Sequence, residues 1–293
     1  MTWKLETLEK PASEKSEKDP LAKQDRLFAQ LRSLQSVMVA FSGGADSAYL
    51  AWAAHRTLGE RALAITALSP SFSAHDRIHA SHFVAETGLR HEFVETHEFE
   101  NASYIANNAN RCYFCKKELF DNMQKLREVR GFEAIAYGAN KDDLRDFRPG
   151  HRAASENDVL APLVEAGLNK LEIRELSRRA GLSTWDRPSS PCLSSRIPYG
   201  THVTIENLSR IERAESVLRE FGFRQFRVRF QGDTAQIEIA KDELPRALQP
   251  DLAQLIAENI RKTGFNTVII DPLGYRQGSL NAALLTGPES TTP

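Results

Sequence analysis

From Leu21 onward, short apolar runs alternate with stretches in which apolar and charged residues are mixed. Val37–Phe41 is apolar and partly β-branched, the pattern of a buried strand. "ALAITALSP" (62–70), "RHEFVET" (90–96) and "EAIAYGAN" (133–140) read as three more strands. The segments around them have helical character: Leu21–Leu34, Ala45–Thr57, "AHDRIHASHFVAETG" and "CYFCKKELFDNMQKLREVRG". The last carries Phe120, Met123 and Leu126 at helical spacing. Strands alternating with helices predict an α/β fold, a doubly wound parallel sheet with helices on both faces. Ligands of such sheets sit beyond the carboxyl ends of the strands. "SGGADS", "ALSPS" and "YGANKDD" are therefore expected on one rim.

The pattern then changes. "LNKLEIRELSRRAG" is a helix ended by Gly181, and an extended, Pro-rich stretch follows it. Beyond about residue 200, "IENLSRIERAESVLREFGF" places Ile205, Leu208, Ile211, Ala214 and Leu218 on one helical stripe. "QFRVRF" and "AQIEIA" alternate as strands, a helical "LPRALQPDLAQLIAENIRKTG" comes next, and "TVIID" is a last strand. The expected organisation is a disordered leader (1–19), an α/β domain (20–187), a linker carrying Cys192 (188–203), a smaller α+β domain (204–284) and a disordered tail (285–293). No internal repeat is evident.

Composition narrows the class. The 293 residues are 41% hydrophobic and 26% charged, which fits a soluble globular protein with a sizeable core. A formal net charge of −1 gives no global basic field for nucleic acid. No apolar run approaches the ~20 residues of a membrane span. The charged start "MTWKLETLEKPASEKSEKDP" has no signal-peptide core. Three cysteines are too few for a disulfide scaffold of this length, so a cytoplasmic protein is expected.

Ser42-Gly43-Gly44-Ala45-Asp46-Ser47 stands between the first strand and its helix. Glycines there let the backbone approach a ligand, and the free N–H groups of the helix start favour a phosphate. It is neither a Walker A loop, which needs a lysine, nor a dinucleotide fingerprint. It resembles the SGGxDS loop of the PP-loop ATP pyrophosphatase superfamily, of the adenine nucleotide alpha hydrolase-like fold. That resemblance implies cleavage of ATP to AMP and pyrophosphate. The plain alternative is a Gly-rich turn without a ligand.

Cys112 and Cys115 form a C-x-x-C, and Cys192 stands alone in "SSPCLSSRIPYG". Such a set is compatible with zinc completed by a histidine such as His151, with an iron–sulfur cluster, with a redox pair, or with chance. "RCYFCKKELF", "YGANKDDLRDFRPGHRAASE", "LNKLEIRELSRRAGLSTWDRPSSPCLSSRIPYGTHVT" and "FRVRF" together resemble the LarE family, ATP-dependent sulfur transferases of nickel-pincer nucleotide biosynthesis. The resemblance spans roughly residues 20 to 280. It implies adenylation of the carboxylates of pyridinium-3,5-biscarboxylic acid mononucleotide, followed by displacement of AMP by sulfur. It also implies that Ser42, Gly43, Gly44, Asp46 and Ser47 hold the ATP phosphates, with Asp46 near Mg²⁺. Gly138, Asn140 and Asp142 would open onto the same site. Cys192 takes the sulfur-donor position, and members with the extra C-x-x-C hold a [4Fe–4S] cluster on three cysteines. Ser195, Arg196, Glu215, Arg227 and Arg229 fall at substrate-contacting positions. The bland reading of Arg227 and Arg229 is a solvated strand edge. As a helix-start residue, Cys112 is expected to favour the thiolate.

The partners expected are the mononucleotide and sulfide or a sulfur-donor system, without membrane or nucleic acid, in a homo-oligomer. Sacrifice of Cys192 itself, without a cluster, is the alternative sulfur source. The rival enzyme is a PP-loop tRNA thiolase, but no RNA-binding motif is visible. An amide-forming PP-loop enzyme would need an N-terminal glutaminase cysteine, which is absent. The rival of another class is a non-catalytic nucleotide sensor, against which Asp46 and the cysteines argue.

Overall fold

The apolar runs become four strands: β1 (Val37–Ala40), β2 (Ala62–Leu68), β3 (His91–Glu95) and β4 (Ala134–Tyr137). The computed structural model describes residues 19–145 and 149–276. The expected tail and all of the expected leader but Asp19 lie outside the described residues, as do positions 277–284. The four strands are parallel, in the order β3-β2-β1-β4. Successive side chains of a strand point to opposite faces. Val37 and Val39 accordingly enter one core, and Met38 and Ala40 another. The first core takes Leu27 of α1 (Pro20–Arg32), Leu50 of α2 (Ala45–Leu58), Phe83 of α3 (Ala74–Thr87) and Ile173 of α5 (Lys170–Arg179). The second takes Leu119, Phe120 and Met123 of α4 (Arg111–Arg130). The result is an α/β sheet covered on both faces.

The strand order reverses at β1, whose neighbours are β2 on one side and β4 on the other. A crevice opens at such a switch point. The loops after β1 and β4 meet there. β4 stops at Tyr137 rather than running to Asn140, because the chain then passes directly against the start of α2. A Cβ on Gly138 would lie 2.7 Å from both the Cα and the backbone N of Ser47.

A second sheet has the order β5-β6-β7: β5 (Phe226–Gln231), β6 (Thr234–Ile239) and β7 (Thr267–Ile270). β5 and β6 are antiparallel, and β6 and β7 parallel. It packs on α6 (Ile205–Glu220) and α7 (Pro250–Arg261) around a core with Leu208, Ile211, Leu218, Val228, Ile237 and Ile256. Ile205 does not join the stripe; as the first helical residue it is 60% exposed. The helix expected across 244–264 is broken. Leu244–Ala247 is one short turn, and Pro250 starts a new helix after an extended Gln249. Proline disfavours helical backbone in the residue before it. A helix at Pro149–Glu156 was not foreseen; it buries Ala153 and Ala154 in the second core. Among the described residues, no helix is long and apolar enough to cross a membrane.

Adding a methyl group at Gly138 must push the start of α2 aside. Gly138→Ala is expected to cost about 1–3 kcal/mol, the range for overpacking. Urea unfolding checks this. A wild-type midpoint would mean that the contact yields freely.

Candidate functional site at the carboxyl rim of the sheet

The loop after β1 closes on its own serines. The Ser42 amide donates to Ser47 Oγ at 3.2 Å, and Ser47 Oγ donates to the Gly44 carbonyl at 3.1 Å. Gly43 holds φ at +71°, a conformation that side chains rarely adopt. Gly44 is the extended N-cap of α2, so the first amides of that helix face the crevice end. Asn140 Nδ2 donates to Asp46 Oδ2 at 3.1 Å, while Asp46 Oδ1 is buried without a partner. Burial raises the Asp46 pKa, against the pull of Lys170, the Asn140 bond and Arg174. Gly138 and Asn140 therefore meet the phosphate-type loop as expected. Asp142 does not touch it. Asp142 is exposed, and its carboxylate accepts from the Lys170 amide at the start of α5 at 3.0 Å.

Several residues of this rim were missed by the sequence reading. Arg187 donates to the Gly43 carbonyl and to Asp76 Oδ1, each at 2.6 Å. Burial lowers its pKa, and Asp76 opposes that shift. Asp76 Oδ1 also accepts from Ser190 Oγ at 2.9 Å, and Asp76 Oδ2 from Ser73 Oγ at 2.7 Å. The signal for Asp76 was the capping pattern Ser73-x-x-Asp76 at the head of α3. Lys170 and Arg174 carry the positive charges that act on Asp46. Their signal was the capping box of Asn169 and Glu172. For Arg187 the sequence offers none.

Cys112 is the second residue of α4, and Cys115 lies a turn further on. Cys192 is the N-cap of a single 3₁₀ turn, Leu193–Arg196. The Leu193 amide donates to the Ser71 carbonyl beyond β2 at 2.9 Å, which brings this turn to the rim. All three cysteines are free. The charge of Cys192 acts on both Cys112 and Cys115, and Arg111, next to Cys112 in the chain, donates to the Ser194 carbonyl two residues past Cys192. Burial, reinforced by Cys192, pushes the thiols of Cys112 and Cys115 up. The lowering expected from the helix start is not met: although Cys112 as a residue is exposed, desolvation at its sulfur and the charge of Cys192 move it upward. Among the described residues, no three His, Cys, Asp or Glu gather as the shell of one metal ion. His151 Nδ1 is instead hydrogen-bonded with the Tyr137 hydroxyl at 2.6 Å.

The residues expected at the substrate surround the Cys192 turn. Arg196 and Glu215, 2% and 1% exposed, form a two-point ion pair at 2.8 and 3.1 Å. Glu215 Oε1 also accepts from the Val228 amide of β5, and Glu215 Oε2 from Arg219. Burial raises the Glu215 pKa, but Arg196 and the other arginines bring it below the usual range. Arg196 Nη1 donates to the carbonyls of Pro191 and Cys192 and to Ser195 Oγ. Arg227, buried, donates to the Ser189 carbonyl; burial takes its pKa down to about 10. Arg229 pairs with Glu238 at 2.9 Å and donates to the Ser195 carbonyl at 2.7 Å. These two arginines do not form a solvated edge. They hold the chain on either side of Cys192.

No family model matches the chain. It is 34% identical over 267 residues to pyridinium-3,5-bisthiocarboxylic acid mononucleotide synthase of Lactiplantibacillus plantarum, an alignment covering 89% of this chain and 95% of that one. It is 42% identical over 251 residues to an uncharacterised protein of Synechocystis sp., covering 86% and 94%. A third relative, an uncharacterised protein of Methanocaldococcus jannaschii, is 31% identical over 172 residues, covering 59% and 66%.

Removing one partner of the buried pair leaves the other charge uncompensated. Glu215→Leu is therefore expected to cost about 3–5 kcal/mol. Denaturant titration measures it. A loss within experimental scatter would show that Arg196 finds another counter-charge and that the pair does not hold the turn.

Proposed function

The chain belongs to the family of pyridinium-3,5-bisthiocarboxylic acid mononucleotide synthases, the LarE family, and on that premise we propose that it is an ATP-dependent sulfur transferase of nickel-pincer nucleotide biosynthesis. Its substrate is a carboxylate of pyridinium-3,5-biscarboxylic acid mononucleotide. A carboxylate oxygen attacks the α-phosphorus of ATP, and the bond to pyrophosphate breaks. A sulfur nucleophile then attacks the acyl carbon, and the bond to AMP breaks, leaving a thiocarboxylate. One observation carries this reading. Asp76 accepts from Arg187, which grips the phosphate-type loop, and from Ser190, two residues before Cys192. One carboxylate thus ties the phosphate-type loop to the segment that carries Cys192, which supports a reading in which both serve one reaction.

The residues divide the work. The amides of Ser42–Ser47 and the Ser47 hydroxyl receive the β and γ phosphates at the positive end of α2. Lys170 and Arg174 add positive charge beside Asp46. The unpartnered Asp46 Oδ1 suits a cation, and Mg²⁺ bound there would neutralise charge on the phosphates. Arg196, Arg227 and Arg229 gather guanidinium groups around the Cys192 turn, with Ser195 and Glu215 completing the surround. Arg196 and Arg229 are balanced there by Glu215 and Glu238, and a substrate phosphate would be held by exchange of such contacts. Among the described residues no three His, Cys, Asp or Glu side chains gather as the shell of one ion, but the chemistry of three free thiols, with the Arg111 cation acting on Cys112, is that of a [4Fe–4S] cluster with one iron not held by protein. Cys112, Cys115 and Cys192 would hold it. When bound, it would supply an open iron able to carry sulfide.

Asp46→Asn should abolish carboxylate-dependent ATP–pyrophosphate exchange. The same variant has a stability signature. Because the folded state holds the Asp46 proton more tightly than the unfolded chain, the wild type loses stability as pH rises from the ordinary value of 3.8 through the raised one. Asp46→Asn should therefore be the more stable protein at neutral pH, with the advantage fading below that window. Release of ADP and phosphate by the wild type would defeat the adenylation reading.

The sulfur source is decided by anaerobic assay of iron and sulfide with a count of turnovers. Many turnovers on added sulfide, with iron and activity both lost in each Cys→Ala variant, are expected. A stop after one sulfur per chain, with Cys192 short by the mass of H₂S, would assign the sulfur to that cysteine instead.

A further inference from the structure

Asn107 is fully buried and sits at φ +55°, in the left-handed region. Asparagine tolerates that conformation better than most residues, but it is not free of cost. What the conformation achieves is an aim for the side chain. Nδ2 lies 3.3, 2.8 and 2.8 Å from the carbonyls of Ile197, Pro198 and Thr201. The Asn107 carbonyl accepts from the Gly200 amide at 3.1 Å. Asn107 Oδ1 accepts from Arg111 Nη1. Arg111 Nη1, in turn, donates to the Ser194 carbonyl at 2.9 Å. The Tyr104 hydroxyl adds a 2.8 Å bond with Ser194 Oγ.

These bonds form one chain with a definite span. Arg111 immediately precedes Cys112, and Ser194 is two residues past Cys192. Asn107 lies in the turn four residues before Arg111, the first residue of α4, so a single guanidinium joins that turn, the head of α4 and the far side of the Cys192 turn. Arg111 is buried, and a buried guanidinium with a planar set of donors tolerates little displacement of its acceptors. None of these contacts reaches the phosphate-type loop. They join the segment before Cys112 to the chain that follows Cys192, from Ser194 to Thr201.

We propose that Asn107 and Arg111 are positioning residues for sulfur delivery, a clasp that holds the Cys192 turn at a set distance from Cys112 and Cys115. The proposal rests on the reading that the three sulfurs serve one site. The clasp and that reading fail separately, because thiol proximity is measured on the reduced protein without ATP, iron or substrate.

The experiment treats reduced wild type, Asn107→Asp, Arg111→Met, Arg111→Lys and Tyr104→Phe with a short dithiol-bridging reagent. Peptide mapping counts the Cys112–Cys192 link, and thermal unfolding reports folding. Asn107→Asp keeps the acceptor for Arg111 but loses the donors to three carbonyls. A lost bond of a charged or buried group corresponds to about tenfold in an equilibrium. The linked fraction should therefore fall by about that factor in Asn107→Asp and Arg111→Met. It should recover in part in Arg111→Lys, which keeps one donor for Ser194. Tyr104→Phe, the mildest change, should show a smaller loss and keeps the test decisive if the others do not fold. Sulfur transfer should fall in step with the linked fraction. The clasp is overturned if the wild type does not link, if folded variants link at the wild-type rate, or if linkage falls while sulfur transfer does not. A wild type that links but makes no AMP would defeat the adenylation reading and leave the clasp supported by the linkage series.

Discussion

The stretch from Trp185 to Ser195 pairs with none of the described strands, and its carbonyls, partly shielded from water, still require donors. Arginines supply them. Arg174 of α5 reaches the carbonyls of Trp185 and Arg187. Arg227 and Arg229 of β5 reach those of Ser189 and Ser195. Arg196 turns back on Pro191 and Cys192, and Arg111 of α4 takes Ser194. The segment that carries Cys192 is therefore placed by side chains of the elements around it, not by a ladder of its own. A guanidinium suits this because its donors are fixed in one plane and never lose their charge.

That arrangement needs counter-charges, and their placement sets the site. Glu215 balances Arg196, Glu238 balances Arg229, and Asp76 balances Arg187. A buried ion pair returns its desolvation cost only when its remaining donors are also met. Arg196 satisfies that condition by spending a nitrogen on the Cys192 turn. Arg187 does so by spending one on the Gly43 carbonyl. In each case the leftover donor of a balanced pair fixes a loop of the candidate site. Stability and site geometry rest on the same groups.

The repeated strands and helices were legible because periodicity is a local property. Val37–Phe41 declared itself as an apolar run, and Phe120, Met123 and Leu126 declared a common face from helical spacing. The phosphate-type loop was legible because its glycines must follow a strand and open a helix. What escaped was everything that depends on register between distant segments. Arg187 lies 144 residues from the carbonyl it grips, and nothing beside it in the sequence marks it. Arg227 and Arg229 were visible as a pair on one strand face, but their burial against the Cys192 segment was not. The break at Pro250 was readable in principle, since the proline rule is local; the apolar spacing around it concealed it.

The thiols show how the same crowding shapes reactivity. A helix start alone would favour the thiolate, yet burial and the charge of Cys192 raise Cys112, and burial raises Cys115. Thiols held up in this way remain protonated near neutrality, and a protonated thiol is a weak nucleophile and a weak ligand. Any soft cation taken up must therefore displace protons, so its binding strengthens as pH rises. Arg111 lowers that barrier, since its charge acts on Cys112 in the thiolate's favour. The protein thus keeps Cys112 and Cys115 quiet, with the compensating cation already in place beside Cys112.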